Sequence, residues 1–455
     1  MMRFNDKRVI VMGMGRSGVA CARFLNDRGG RVTVTDSGDE STLASAAADL
    51  RGRGIAVEFG RHSAGLFADA DLIVLSPGVP HTLEPIVEAR KRGIPVMGEI
   101  ELASRFIEDP IVAVTGTNGK TTTTTLLGRM LEASGLSAFV GGNIGTPLIE
   151  YAAMGLRRDR VVVEVSSFQL DTIATFRPNV GVLLNITPDH MDRYDDFAAY
   201  AGSKGRLFEN QSTEDVAVLN GGDPAIVQMA PRITAKKWFF NPRSEGDDGI
   251  FIAGSEMAAR IGGRESMVMD LSSSRLTGRH NMENIAAAAL AALAAGGNAQ
   301  GIEAALKDFR GLPHRLEYVA TVAGVRYFDD SKGTNTDAVV RALDAFDGPV
   351  VLIMGGRDKG GGYGDLRAAV KKRVKRLVLI GEAKEVIARE LGDCSGGRVS
   401  KAPSMEAAVR TAHESAGPGD VVLLSPACAS FDMFRSYAHR GEVFCRAVAK
   451  LSEEG

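Results

Sequence analysis

At 455 residues, with 44% hydrophobic and 24% charged side chains, the chain has the composition of a soluble globular protein and the length for about three domains. Lys+Arg 54 against Asp+Glu 56 leave a formal net charge of -2, so nothing advertises nucleic acid or an anionic membrane surface as a partner. Cys21, Cys394, Cys428 and Cys445 stand far apart without metal-ligand spacing, "MMRFNDKR" carries no signal-peptide pattern, and the longest apolar run, "IAAAALAALAA" from Ile285, is too short to span a bilayer. A cytoplasmic protein is expected.

The first segment runs to about Gly98 and alternates the strand-like runs "RVIVMG", "RVTVTD" and "LIVLSPG" with helical stretches, the pattern of a parallel α/β sheet. "GMGRSG", Gly13 to Gly18, follows the first run and opens a helix, and Asp36 ends the second run. Glycines there permit a tight turn and a close approach of backbone N–H groups to a pyrophosphate, and Asp36 could accept from a ribose hydroxyl. A dinucleotide cofactor in this loop would make the protein an oxidoreductase. A glycine turn that merely packs helix on strand is the plainer alternative.

The second segment begins near Glu99 with "IVAVTG", "RVVVEVS", "NVGVLLNI" and "DVAVLN". Its opening "IVAVTGTNGKTTTTTLL" has the strand, glycine loop and helix of a phosphate-binding loop, but the full G-x-x-x-x-G-K-[ST] spacing asks for glycine where Val114 stands. The residues that touch phosphate survive: Lys120 after Gly119, and Thr121, whose hydroxyl suits Mg²⁺. Glu164 closes an apolar run, where an unpaired carboxylate is expensive and a metal is one remedy. His190 follows another strand, with Asp189 and Asp192 beside it. Thr121, Glu164, His190 and phosphate oxygens would suit Mg²⁺. Lys204 reads as an exposed helical lysine.

The third segment begins near Gly311 with "VRYFDDS", "PVVLIMGG", "RLVLIG" and "DVVLLSP". Asp330, Lys332 and Lys359 each follow a strand, at the edge where open α/β sheets bind ligands. The cluster "KKRVKR", Lys371 to Arg376, ends a helical stretch and is expected to be a solvated face. A chain with two nucleotide loops is better suited to joining a nucleotide-carrying substrate to something else at the expense of ATP than to hydride transfer.

Read together, "GTNGKTTTT", "EVSSFQL", "LNITPDHMDRY", "GRHNMENIAAA", "GLPHRLE", "DDSKGTNTDA" and "LLSPACASFDMF" resemble the Mur ligase family over essentially the whole chain. The shortened ATP loop is a family trait. "GMGRSG" and the last two motifs resemble the D-glutamate-adding branch. The resemblance implies three α/β domains: a Rossmann-like domain for the UDP-substrate over residues 1–98, a central P-loop ATPase domain over 99–311, and a Rossmann-like domain over 312–455 contributing to ATP and D-glutamate. It implies a monomeric ligase of peptidoglycan precursor synthesis that uses ATP and Mg²⁺ to add D-glutamate to UDP-N-acetylmuramoyl-L-alanine. No nucleic acid or membrane insertion is expected.

The resemblance also implies roles for single residues. Gly15, Arg16, Ser17, Gly18, Asp36, Ser37, Ser76, Pro77, Asn143, Ser166, Gln169 and His190 would bind the UDP-substrate, so the first loop would hold UDP and not NAD. Gly116, Thr117, Asn118, Gly119, Lys120, Thr121, Thr122, Asn281, Asn284, Arg315 and Asp330 would bind ATP. Lys120, Glu164, His190 and Lys204 would be catalytic, with Thr121, Glu164, His190 and a carbamylated Lys204 as metal ligands. Lys332, Thr334, Lys359, Ser430, Phe431 and Tyr437 would form the D-glutamate pocket. Two positions depart from the pattern: the loop reads GKT where GKS is usual, which keeps the hydroxyl, and "TDSGDE" lacks the basic residue expected near the uracil. A folate-type amide ligase, a nicotinamide oxidoreductase and a non-catalytic nucleotide-binding protein are the alternatives.

Overall fold

The computed structural model describes residues 3–454 apart from 192, 245, 273, 275 and 277, which leaves Asp192 outside the described residues. Three sheets carry the strands. The first is parallel, ordered Ala56–Phe59, Arg31–Asp36, Arg8–Met12, Leu72–Leu75, Val96–Gly98. Its central strand "RVIVM" buries both faces from Val9 onward, as the apolar run Val9–Met12 requires. Val9 and Val11 join one core with Leu72 and Val74, while Ile10 and Met12 join the other with Ile73 and Leu75, the period of two expected of a strand. Chain order reverses between Arg8–Met12 and Leu72–Leu75, so a ligand crevice opens beyond their C-terminal ends.

The second sheet has nine strands, ordered Arg264–Asp270, Glu256–Ile261, Gly249–Ala253, Lys236–Phe240, Val216–Asn220, Val180–Leu183, Ile111–Thr115, Arg160–Glu164, Ala138–Gly142. It is parallel except for the first three strands in this order, which pair as antiparallel hairpins. Ile111–Thr115 lies between Arg160–Glu164 and Val180–Leu183, so the loop after it is flanked by the two chain ends that follow Glu164 and Leu183. The third sheet is ordered Glu317–Val322, Val325–Asp329, Val421–Leu424, Val350–Gly355, Val374–Ile380, Val399–Lys401, parallel after an opening hairpin.

The three-sheet α/β architecture is the one expected from the sequence. Two compact units carry it: Met1–Ile186, Arg193–Ser273 and Glu283–Asp308 in one, and Thr187–Asp192, Ser274–Met282 and Phe309–Gly455 in the other. The first unit holds two sheets whose cores merge, with Val9 and Leu25 in one cluster with Ile111 and Leu148. The basic run beginning at Lys371 starts exposed on the helix Arg367–Arg373 and continues into the strand Val374–Ile380, where Lys375 pairs with Asp420 at 2.7 Å. Among the described residues no helix is long and apolar enough to cross a membrane.

Candidate active site

The phosphate loop forms where the strand Ile111–Thr115 turns into the helix Lys120–Ala133. Gly119, the N-cap, adopts φ +86, and a Cβ there would meet Asn284 Oδ1 at 2.2 Å, so two independent constraints demand glycine. The same contact seats Asn284, 7% exposed, against the loop. Lys120 folds back over the turn, its ammonium donating to the Gly116 and Thr117 carbonyls at 2.8 Å each.

A second lysine reaches the same place. Lys204 lies on the helix Phe197–Gly205, is 1% exposed, and donates to the Gly116 carbonyl at 2.9 Å, with its ammonium 4.6 Å from the Tyr200 ring centroid. The exposed lysine expected from helical patterning is therefore a buried one, because the phosphate loop lies against that helix. Two cations on one carbonyl oxygen make a strongly positive floor, suited to the oxygens of a polyphosphate.

Asn185 clamps the loop from the chain after Val180–Leu183. Its carbonyl accepts from Thr117 N (2.9 Å), its Oδ1 from Asn118 N (2.8 Å), and its Nδ2 donates to the Asn118 carbonyl (3.0 Å). Tyr200 adds a hydroxyl contact to Thr117 Oγ1 at 3.1 Å. Neither residue stands out in the sequence, since an asparagine after a strand is an ordinary turn residue. Its position inside "LNITPDH" was the available signal.

Glu164 ends the strand beside the loop, with Val114 as its register partner, and is 2% exposed. Its Oε1 accepts from Asn143 Nδ2 at 2.9 Å, whereas Oε2 is buried without a hydrogen-bond partner. An orphaned carboxylate oxygen next to a phosphate loop fits a hard divalent cation that would complete its coordination. Ser166 and Gln169 form a reciprocal cap at the start of the helix Ser167–Leu170. Capping uses Ser166 Oγ and Gln169 Oε1, so both residues have a structural task beside any ligand contact.

In the first sheet a cleft of about 450 Å³ collects Gly13, Gly15, Arg16, Ser17, Asp36, Ser37, Ser76 and Pro77, and adds His62, which sequence reading did not select. Gly18 packs rather than lines: a Cβ on it would lie 1.9 Å from the Gly13 carbonyl oxygen. Asp36 braces the turn, Oδ2 accepting from Met14 N (2.6 Å) and Oδ1 from Gly38 N (2.8 Å). Arg16 reaches into the second sheet's territory, donating to the Gly145 carbonyl at 2.6 Å and pairing with Glu150 at 3.4 Å. Gly145 follows Asn143 in the loop that also supports Glu164, which links the two sites within one unit.

The second unit gathers the remaining candidates. Burial pushes the Asp330 carboxyl up to about 7, against the Ser425 hydroxyl bonded to it at 2.7 Å and the Arg315 guanidinium. The Lys332 ammonium stands 3.8 Å from the Tyr437 ring centroid. Thr334 and Lys359 line a cleft of about 390 Å³ together with His190 and Asp189. His190 takes φ +57, with Nε2 3.6 Å from Asp189 Oδ2, and Asp189 Oδ2 in turn accepts from Asn335 at 3.1 Å. Ser430 is buried and Phe431 is 65% exposed. Asn281 N donates to the Gly278 carbonyl at the start of the helix Arg279–Ala294. Sequence reading passed over Arg440, which is fully buried and donates to the Ser331 hydroxyl (2.9 Å), the Ser331 carbonyl (2.7 Å) and the Cys428 carbonyl (3.1 Å), tying the "DDSKGTN" and "SPACAS" segments together.

A nucleotide cleft, a lysine-rich phosphate loop and an orphaned acid in one chain describe an ATP-dependent ligase, and family models agree. Residues 7–98 match the Mur ligase MurD-like N-terminal domain, 114–292 the Mur ligase middle domain, and 314–428 the Mur ligase glutamate ligase domain. The chain belongs to the Mur ligase family. It is 54% identical over 450 residues to the UDP-N-acetylmuramoylalanine–D-glutamate ligase of Desulfosudis oleivorans, covering 98% of this chain and 97% of that one. It is 50% identical over 450 residues to the enzyme of the same name from Desulfatibacillum aliphaticivorans, covering 99% and 100%. Among solved structures, the MurF ligase of Thermotoga maritima in complex with ADP aligns with a TM-score of 0.62 at 19% identity, over 93% of this chain and 95% of that one. That likeness carries the fold alone.

Proposed function

We propose that the protein joins D-glutamate to the alanine carboxylate of UDP-N-acetylmuramoyl-L-alanine, consuming ATP and releasing ADP and phosphate, as a step of peptidoglycan precursor synthesis. The observation that carries this reading is the half-identity to ligases of that name along 97% or more of their length. A carboxylate resists amine attack because its leaving group would be oxide, so the γ-phosphoryl is first passed to it, giving an acyl phosphate. The D-glutamate amine then adds to that carbonyl, and the tetrahedral oxyanion collapses with loss of phosphate.

Lys120 holds the ATP phosphates, with Gly116, Thr117, Asn118, Gly119, Thr121, Thr122 and Asn284 shaping the loop around them. Asn281, Arg315 and Asp330 are assigned to ATP by the family resemblance. Mg²⁺ would neutralise phosphate charge when bound. Thr121, Glu164 and a carbamylated Lys204 would hold it, and the orphaned Glu164 Oε2 is the fit that supports this. His190 is assigned as a ligand, and as a UDP-substrate contact, by the resemblance alone. The first-sheet cleft receives the UDP moiety with Asn143, Ser166 and Gln169 toward the second sheet. Lys332, Thr334, Lys359, Ser430, Phe431 and Tyr437 receive D-glutamate.

Phosphate release from ATP and Mg²⁺ with UDP-N-acetylmuramoyl-L-alanine tests the proposal, comparing D-glutamate, L-glutamate and no amino acid. Release only with D-glutamate, with a product of the corresponding mass, is expected. Release indifferent to the muramoyl substrate would move the assignment to another amide ligase.

A further inference from the structure

Among the residues assigned to D-glutamate, Lys359 stands on backbone that packing does not hold. It belongs to "RDKGGG", Arg357 to Gly362, which follows the strand Val350–Gly355. Gly360 and Gly362 take φ +76 and +70, and a Cβ at Gly360 or Gly361 would meet no atom within 4 Å. Glycine has more conformational freedom to lose than any other residue, so an ordered loop of this composition depends on polar ties. A cation that must meet a carboxylate at a fixed place needs those ties.

The ties converge on Tyr363, whose ring is buried in one core cluster with Leu352, Leu366 and Cys428. Its hydroxyl donates to Asp358 Oδ1 at 3.1 Å and lies 3.0 Å from Cys428 Sγ. The phenol has a single proton and the carboxylate is the stronger acceptor, so the Cys428 thiol donates to the phenol oxygen. Asp358 Oδ1 also accepts from Gly360 N at 3.0 Å, which closes a turn around Lys359. Arg357 and Ala429 exchange backbone hydrogen bonds of 2.9 and 3.2 Å where the loop begins, and Tyr363 N donates to Glu390 Oε2 at 2.7 Å where it ends. Cys428 and Ala429 lead directly into Ser430. The tyrosine hydroxyl therefore joins the segment that carries Lys359 to the segment that carries Ser430.

We propose that Tyr363 is a positioning residue for Lys359: its hydroxyl, bridging Asp358 and Cys428, sets the loop so that the ammonium meets a carboxylate of D-glutamate. This rests on the D-glutamate reading given above. The bridge accounts for a phenol where a phenyl ring would fill the core, since a buried hydroxyl is costly unless it is hydrogen-bonded. Losing the bridge frees the loop and weakens the amino acid alone, because ATP and the UDP-substrate are assigned to other segments.

Steady-state kinetics of the full-length protein, with each substrate varied in turn, test this. Tyr363→Phe keeps the ring and the backbone bond to Glu390, and is expected to raise the KM for D-glutamate by about five- to tenfold, with the KM values for ATP and the UDP-substrate unchanged. Asp358→Ala should do at least as much, whereas Asp358→Asn, whose amide oxygen can accept both bonds, should stay within about threefold of wild type. The Tyr363→Phe, Asp358→Ala double variant should be no worse than Asp358→Ala alone, as two partners in one interaction require. Tryptic cleavage after Lys359, followed by fragment mass, should be several-fold faster in Tyr363→Phe, a readout of loop order that needs no substrate. A Tyr363→Phe variant with a KM for D-glutamate within about twofold of wild type, equal rises in all three KM values, effects that multiply in the double variant, or unchanged tryptic cleavage would each overturn the proposal. Phosphate release by wild type that is indifferent to D-glutamate overturns the D-glutamate reading instead, and the tryptic cleavage still decides whether Tyr363 holds the loop.

Discussion

The two nucleotide loops share an architecture and differ in what surrounds it. Gly13–Gly18 and Gly116–Lys120 both join a buried parallel strand to a helix, and both depend on glycine where a Cβ would collide. Around the first, polar groups are spent on shape: Asp36 ties the turn to the next strand, and Arg16 extends over Gly145. Around the second, charge is concentrated. Lys120 and Lys204 converge on the Gly116 carbonyl, and Glu164 keeps one buried oxygen without a partner. On the proposed function, the first loop holds a phosphate that stays put and the second acts on one that moves.

Lys120→Ala should separate them most sharply. Removing a preorganised cation from developing phosphate charge is expected to lower kcat by about a hundred- to thousandfold, with UDP binding to the first-sheet cleft unchanged. Turnover within tenfold of wild type in phosphate-release assays would remove Lys120 from that role. Asn185→Ala comes next. It leaves the Asn118 N–H and carbonyl without the side-chain amide they now share. A loss of about 1–3 kcal/mol in the loop's ordering should appear as a roughly tenfold rise in the KM for ATP. An unchanged KM would make the clamp ornamental. Arg16→Ala removes the bond to the Gly145 carbonyl and a partly exposed pair with Glu150, so the KM for the UDP-substrate should rise by about threefold with kcat kept. A fall in kcat instead would place Arg16 nearer the chemistry.

Much of this contrast was legible beforehand, and what was not has physical causes. Buried parallel strands read as near-continuous apolar runs, so Arg8–Met12, Ile111–Thr115, Val350–Gly355 and Val421–Leu424 announce themselves. The strand Glu256–Ile261, "EMAARI", is written in residues that favour helices, and it is a strand because its hairpin neighbours pair with it. The phosphate loop and Glu164 were readable because their residue types are costly anywhere else. Lys204 and Asn185 act through what folds against them, and no local pattern records that. His62 belongs to the same group: its ring meets the Thr35 hydroxyl from 27 residues further along the chain.

The smallest predicted effect concerns the helix Glu99–Ser104, which leads from the first sheet to the second and carries two buried carboxylates of opposite character. Glu101 is also held by burial, which raises its pKa, but N–H groups of Ala174, Thr175 and Phe176, the Thr175 hydroxyl and Arg105 outweigh this and leave it below the ordinary value. Glu99 accepts from Ile149 N at 2.7 Å, and burial pushes its carboxyl up to about 7 from an ordinary 4.5. Ile149 lies in the first turn of the helix Leu148–Met154, whose Glu150 pairs with Arg16, so Glu99 supports the junction between the two loops. Between pH 4.5 and 7 the folded state holds a proton on Glu99 that the unfolded chain releases. Its contribution is therefore complete below the lower value and lost as pH rises through the upper one. Glu101 has the opposite sign, losing its contribution as the medium is acidified. Thermal unfolding followed from pH 5 to 8 should show a decline in Tm that Glu99→Gln flattens, because the amide cannot ionise. Glu101→Gln should lower Tm most at neutral pH and least in acid. Parallel Tm profiles for wild type and Glu99→Gln would mean that the Glu99 carboxyl is already ionised in the fold and the junction is indifferent to its charge.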